Sequence, residues 1–350
     1  MDRVVHSGRS GSRPGALRAT TVDSMTDDTA IYTAHDIEDL LNAVPALLGF
    51  RPEESIVAVA TEGPECRLGF CLRMDLPALE YIDPAAEELV RHLRNHHAEG
   101  AVVVAMTQRQ ALARELLAAV EAQLGDIEPV VMTRADGRRY WVDVPGFPDR
   151  GMTYETSDHH EAVVSAVVAG QEVLASREAL VQRFAAATGD RMRQMARVFD
   201  QVLPDVFGLM HRTRGSLAPA ALADLGPVLA AVERGDGLDD AETARLCCWV
   251  TPIEVRDAVW SRITTENAQQ WLAALTHAAR CSPPPFAPAV LSLASFAAWR
   301  WGSGAQAVIA AERALEIDPE YSRAHLMLAL LDLGLAPGAW DEIESGCRAG

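Results

Sequence analysis

Between residues 36 and 77 the apolar and polar positions pass from a helical spacing to strand-like runs. Ile37, Leu40, Leu41 and Val44 recur at helical spacing, which predicts a short helix with one buried face. Asp36 can cap it, with Asp39 placed as in a capping box. Pro45 biases Val44 away from the α region, predicting an end or a kink there. Gly49 supplies a C-terminal cap, and Pro52 prevents the helix from resuming. Residues 55–61 then form a nearly continuous apolar run, as in a strand buried on both faces. A Glu-Gly-Pro turn and a second strand ending in Arg73-Met74-Asp75-Leu76 complete a β-hairpin.

The same patterning continues to about residue 188. A helix opening on Asp83-Pro84 is predicted over 83–98, a buried strand over 101–106, a helix over 109–124 and a strand over 127–133. Asp136-Gly137 predicts a tight hairpin turn leading into a strand over 139–144. Residues 145–156 have no period and read as a surface loop. Ser157-Asp158 and Ser176 can cap two further helices, over 159–168 and 177–188. Two hairpins flanking a crossover predict an α/β domain with a mixed sheet.

From residue 189 onward no strand pattern occurs. Helices are predicted at 190–203, 218–234, 239–248, 252–263, 265–280, 287–301, 304–317, 321–333 and 338–346. Ala307, Ala314 and Pro319 match small-residue and proline positions of a tetratricopeptide repeat, whereas its aromatic positions do not match. The expected architecture is therefore an α/β domain over 31–188 followed by an all-α, tetratricopeptide-like domain over 189–350. Residues 1–30 are expected to be a disordered leader. Met25 would be a natural start, because 1–24 hold four arginines, two acids and mostly small polar residues.

Composition narrows the chemistry. The 31 basic residues stand against 49 acidic ones, a formal net charge of −18, which argues against nucleic acid or an anionic membrane surface as partner. No window approaches a membrane-spanning run of apolar residues. All the basic residues are arginine. The absence of lysine excludes a Walker A lysine, a Schiff base to pyridoxal phosphate, a kinase ATP lysine and a Ser-Lys dyad. Six cysteines without a C-x-x-C pair fit free thiols in a reducing cytoplasm.

Each remaining pattern has a plain packing explanation. Gly302-Ser-Gly304-Ala-Gln-Ala307 fits G-x-G-x-x-A but follows a helix rather than a strand, and reads as a helix-helix turn. His92, His96 and His97 could ligate a metal, but His92 reads as lying on a solvated face among Glu88, Asn95 and Glu99. No metal and no cofactor are expected. Cys247-Cys248 read as small buried hydrophobes, and Asp236-Gly-Leu-Asp-Asp as a turn and cap. Arg73 and Asp75, two apart on one strand, share a side of the sheet near a strand end, where α/β crevices hold ligands. Together with Arg51 they could anchor an anionic metabolite. Alternatively they form an ion pair, with Arg51 or Glu54 as partner, that fastens the hairpin to the corner before it.

L-L-x-x-V-P-x-L-L-G-F-x-P-x-x-S-I-V from Leu40, R-x-D-L from Arg73, G-R-R-Y-W from Gly137, S-R-E-A-L from Ser176 and W-x-x-G-x-G-A-x-A from Trp299 resemble an actinobacterial family, domain of unknown function 4192. The resemblance runs from about residue 33 to 340. It implies a shared fold, an actinobacterial origin and a start near Met25, and no activity. Family members often carry an aromatic residue and a cysteine after the hairpin tryptophan, where Val142-Asp143 stand here. The chain is thus expected to be a soluble, non-enzymatic protein-interaction or regulatory module, its helical domain meeting a protein partner. The alternative is a small-ligand-binding protein or enzyme with its site at Arg51, Arg73 and Asp75.

Overall fold

A computed structural model describes residues 17–19, 32–63, 66–335, 337–338 and 340. The expected leader, 1–30 with Met25, lies outside these residues except for 17–19, and so does most of the helix expected at 338–346. Two compact units result. The first takes the strand at 17–19, residues 29–44 and residues 54–165; the second takes residues 45–53 and those from 166 onward.

The first unit is built on a mixed sheet. Its strands are β1 (Leu17–Ala19), β2 (Tyr32–Ala34), β3 (Ser55–Glu62), β4 (Arg67–Asp75), β5 (Gly100–Met106), β6 (Glu128–Ala135), β7 (Arg139–Trp141) and β8 (Met152–Thr153), in the order β2-β1-β4-β3-β5-β6-β7-β8. The expected hairpins, β3–β4 and β6–β7, are antiparallel, and β5 runs antiparallel to β3. Only a crossover can make the β5–β6 pair parallel, and α3 (Gln110–Gln123) supplies it. Beside it packs α2 (Ile82–Asn95). Ile56, Ala58, Ala60, Leu72, Leu76, Val103 and Ala105 form one core with Ala86, Leu89 and Leu93 of α2 and Leu116 and Val120 of α3. Each large side chain among them contributes about 1.5–3 kcal/mol as an upper bound. Val57, Val59, Val102 and Val104 face the opposite way and are fully buried too, so the strands read as unbroken apolar runs.

Before the hairpin, α1 (Ile37–Leu48) does not stop at Pro45. Proline removes one N–H from the ladder, but the next turn closes through the Gly49 N–H on the Pro45 carbonyl at 2.9 Å. The cap is as expected: Asp36 Oδ1 accepts from the Asp39 N–H at 2.9 Å, and Asp39 Oδ2 from the His35 N–H at 2.9 Å. On α2 the expectation for His92 is overturned. It is 9% exposed, on the side of Phe70 of β4, whose ring stacks on His96 at 3.4 Å. Helical spacing within α2 could not show that a strand would bring an aromatic ring to that face.

The second unit is helical, with no strand among its described residues beyond the isolated bridge of Phe50 to Leu174. The contacts divide between Ser165 and Ala166, within α4 (Glu161–Val168), rather than at the expected 188. The reason is α5 (Arg177–Phe184), which is held by helices much later in the chain: the Arg280 guanidinium donates to the Gln182 carbonyl at 2.9 Å, and Arg177 pairs with Glu312 at 3.2 Å. Next, α6 (Gly189–Arg212) runs straight through Pro204, so the helix expected at 190–203 is longer. The helix expected at 218–234 is two, α7 (Ala218–Asp224) and α8 (Gly226–Arg234), broken where Gly226-Pro227 opens a new first turn. There follow α9 (Asp240–Trp249), α10 (Ile253–Trp260), α11 (Ala268–Cys281), α12 (Ala287–Arg300), α13 (Gly304–Ile317) and α14 (Ser322–Asp332). Successive helices from α11 to α14 pack on one another. All 14 residues of α12 are buried. Its two serines bond inward, to the Ala289 carbonyl at 2.8 Å and the Ala307 carbonyl at 2.7 Å.

Candidate functional site at the carboxyl end of the sheet

Strand register brings Asp75, Ser55, Met106 and Ala135 into one row across the sheet. This row marks the carboxyl ends of the parallel pair β5 and β6, the end at which open α/β sheets hold ligands. Three charged clasps lie along it.

The first contains two of the residues singled out in the sequence. Arg73 Nη2 meets Asp75 Oδ1 at 2.6 Å, and Arg73 Nε donates to Ser55 Oγ at 2.8 Å. The arginine is 14% exposed and the aspartate 81%. Arg73 thus pairs with its neighbour on the same strand and bonds across to β3. Arg51 belongs to the second unit, where its N–H donates to the Leu174 carbonyl at 3.0 Å and Gly49 accepts from Leu174 at 2.9 Å.

The second clasp centres on Glu54. Its backbone is left-handed, with φ 43°, a conformation rare for a side chain of this size. Oε1 accepts from Thr107 Oγ1 at 2.6 Å and from the Gln108 N–H at 3.3 Å, while Oε2 accepts from Arg109 Nε at 2.8 Å. Burial would raise this carboxyl. The bonds from Thr107, Arg109 and Gln108, with the Arg109 charge, outweigh it and hold the group below the usual carboxylate range.

The third clasp was not read from the sequence. Arg134 near the end of β6 pairs with Asp143 at 2.6 Å and lies 5.9 Å from the Trp141 ring centroid. Asp143 also reaches Arg114 of α3 at 3.7 Å. The G-R-R-Y-W segment explains how this end is shaped. Trp141 Nε1 donates to the Asp149 carbonyl at 3.1 Å and Arg139 to the Arg150 carbonyl at 3.0 Å, tying the following loop onto β7. Gly151, at φ +72°, lies flat against the indole; a Cβ there would come within 2.5 Å of it. The one sequence signal for the second clasp was the polar T-Q-R-Q stretch after the apolar β5, where a βα loop must begin.

The glycine, aspartate and cysteine patterns are framework. Gly302 turns between α12 and α13 at φ 83°, and Asp239 caps α9 in a full capping box with Glu242. Cys247 and Cys248 are buried, and burial pushes both thiols up to about 12. Burial, then the charges of His92 and His97, lower His96 to about 4. Among the described residues no helix is long and apolar enough to cross a membrane.

These features define a protein with an α/β unit on a mixed sheet and a unit made of helices. The chain belongs to the family described as domain of unknown function (DUF4192), which matches residues 38–338. No curated protein and no solved structure matches it.

Proposed function

We propose that the chain is a non-enzymatic protein-interaction or regulatory module, and that its helical unit carries the face that meets a protein partner. The observation behind this reading is the surface of α14. Leu326 is 40% exposed, and Leu333, the residue that caps the helix seven positions on, is 56% exposed, so the two fall on the same side. Several charged groups of the same unit, by contrast, are held in pairs: Arg245 with Asp224, Arg191 with Asp240, and Arg323 with Asp257. The alternative, a small-ligand site at Arg51, Arg73 and Asp75, has its central guanidinium already committed to Asp75 and Ser55. A net charge of −18 disfavours nucleic acid and anionic membranes as partners. Five free cysteines among the described residues suit a cytoplasmic location.

The test is capture of a partner from an actinobacterial lysate by the tagged full chain, followed by titration with the purified partner. The reading expects saturable binding that is lost in the Leu326→Glu, Leu333→Glu double variant. Failure to capture anything, or binding that ignores the two substitutions, would reject it.

A further inference from the structure

Arg134 is 4% exposed, and its Nε has no hydrogen-bond acceptor among the described residues. It projects to the α2–α3 side of the sheet, because its register partner Ala105 belongs to that core. The acid that neutralises it, Asp143, is 50% exposed and is shared with Arg114 of α3, itself 65% exposed. A buried guanidinium is thus balanced by a carboxylate standing at the surface between two arginines. One helical turn before Arg114, Gln110 commits its Nε2 to the Thr107 carbonyl at 2.7 Å, while its Oε1 is buried without a partner. Buried donors and acceptors are almost always paired, so an unmatched donor and an unmatched acceptor on adjoining elements call for a polar guest. They flank the amino end of α3, whose dipole favours negative charge, at the sheet end where ligands bind.

We propose that this is a binding site for a small oxyanion, a phosphate or carboxylate group, bridging Arg134 and Arg114 in the place that Asp143 holds in this structure. The planar guanidinium of Arg134 offers paired donors to such a group. A hydroxyl or amine beside the anionic group would be received by Gln110 Oε1. Asp143, carried just beyond β7, is then a built-in competitor for the ligand. The site is independent of the partner-binding reading of the helical unit, and neither needs the other.

Calorimetric titration of the full chain at low ionic strength tests it, with inorganic phosphate in one arm and acetate in the other. Saturable one-to-one binding of either anion is expected, and the tighter of the two names the class of ligand. Asp143→Asn removes the competitor and should tighten binding about tenfold, the size of one charge-assisted contact. Arg114→Ala should weaken it about tenfold. Both substitutions are at exposed positions, and circular dichroism of each variant verifies that it is folded. Absence of saturable binding by both the wild-type chain and Asp143→Asn overturns the proposal, as does equal affinity in all three chains.

Discussion

Two ion pairs inside the helical unit and the clasps at the end of the sheet handle charge in opposite ways. In the helical unit two pairs, Asp224 with Arg245 and Asp240 with Arg191, are reciprocal and complete. Asp224 receives both Arg245 donors, at 2.6 and 2.9 Å, and the Trp249 indole at 2.7 Å. Asp240 receives two from Arg191, at 2.7 and 2.6 Å, and one from Gln194 at 2.7 Å. Each carboxylate joins helices distant in sequence and leaves its cations well matched. Along the carboxyl end of the sheet, the acids Asp75, Glu54 and Asp143 are about half exposed or more, and Arg134 retains an unmatched Nε. Complete pairs act as staples between helices. Incomplete pairs at a strand end leave bonding capacity for something outside the chain.

This contrast can be broken most forcefully at Asp224. Asp224→Ala strands a partly buried arginine and an indole N–H, and should cost about 2 kcal/mol or more in urea unfolding. Burial would raise the Asp224 carboxyl, but the bonds from Arg245 and Trp249 outweigh it and depress it in the folded chain. Its contribution is therefore present above the unfolded carboxylate pKa of about 3.9 and lost as pH falls through the lower folded value. Asp224→Asn should flatten that acid limb.

In the sheet unit, Gly151→Ala should cost about 2 kcal/mol, since its Cβ meets the Trp141 ring and its φ is positive. Faster proteolysis within 145–151 would accompany the loss. A pH-dependent effect is expected below neutrality. His96 is lowered from 6.5 to about 4 by burial first and by His92 and His97 next, so the unfolded chain binds the proton more readily. Stability should decline as pH falls from 6.5 toward about 4, and His96→Gln should remove that step from the urea midpoints. The smallest effect belongs to Arg193→Ala. Its i,i+3 pair with Asp190 is exposed on both sides, and the change should stay within about 0.5 kcal/mol. A loss comparable to that of Asp224→Ala would mean that exposed and enclosed pairs are not distinct here.

Most of the framework was legible because it is local. The runs at 55–61 and 101–106 are apolar enough to be central strands, and caps such as Asp36 and Ser176 need only their neighbours. The side of the sheet shared by Arg73 and Asp75 followed from alternation alone. Helix interruptions were less legible, since a proline marks where a ladder bond is missing without saying whether packing carries the helix past it, as at Pro45 and Pro204. The clasps at Glu54 and Arg134 were hidden because each joins residues through a crossover: Glu54 meets Thr107 only after β5 pairs with β3, and Arg114 meets Asp143 only across β6 and β7. His92 was misplaced for a similar reason, its neighbour Phe70 lying on another element.

The wholly enclosed helix α12 has a consequence for synthesis. It leaves the ribosome before α13 and α14, the two later helices that pack on it. Until they emerge, fourteen residues, from Ala287 to Arg300, must stay in water with only α11 and earlier helices for shelter. A chain halted near residue 302 should therefore be sticky and a client for chaperones. In the finished protein, the amides of α12 should be the last of the helical unit to exchange with deuterium.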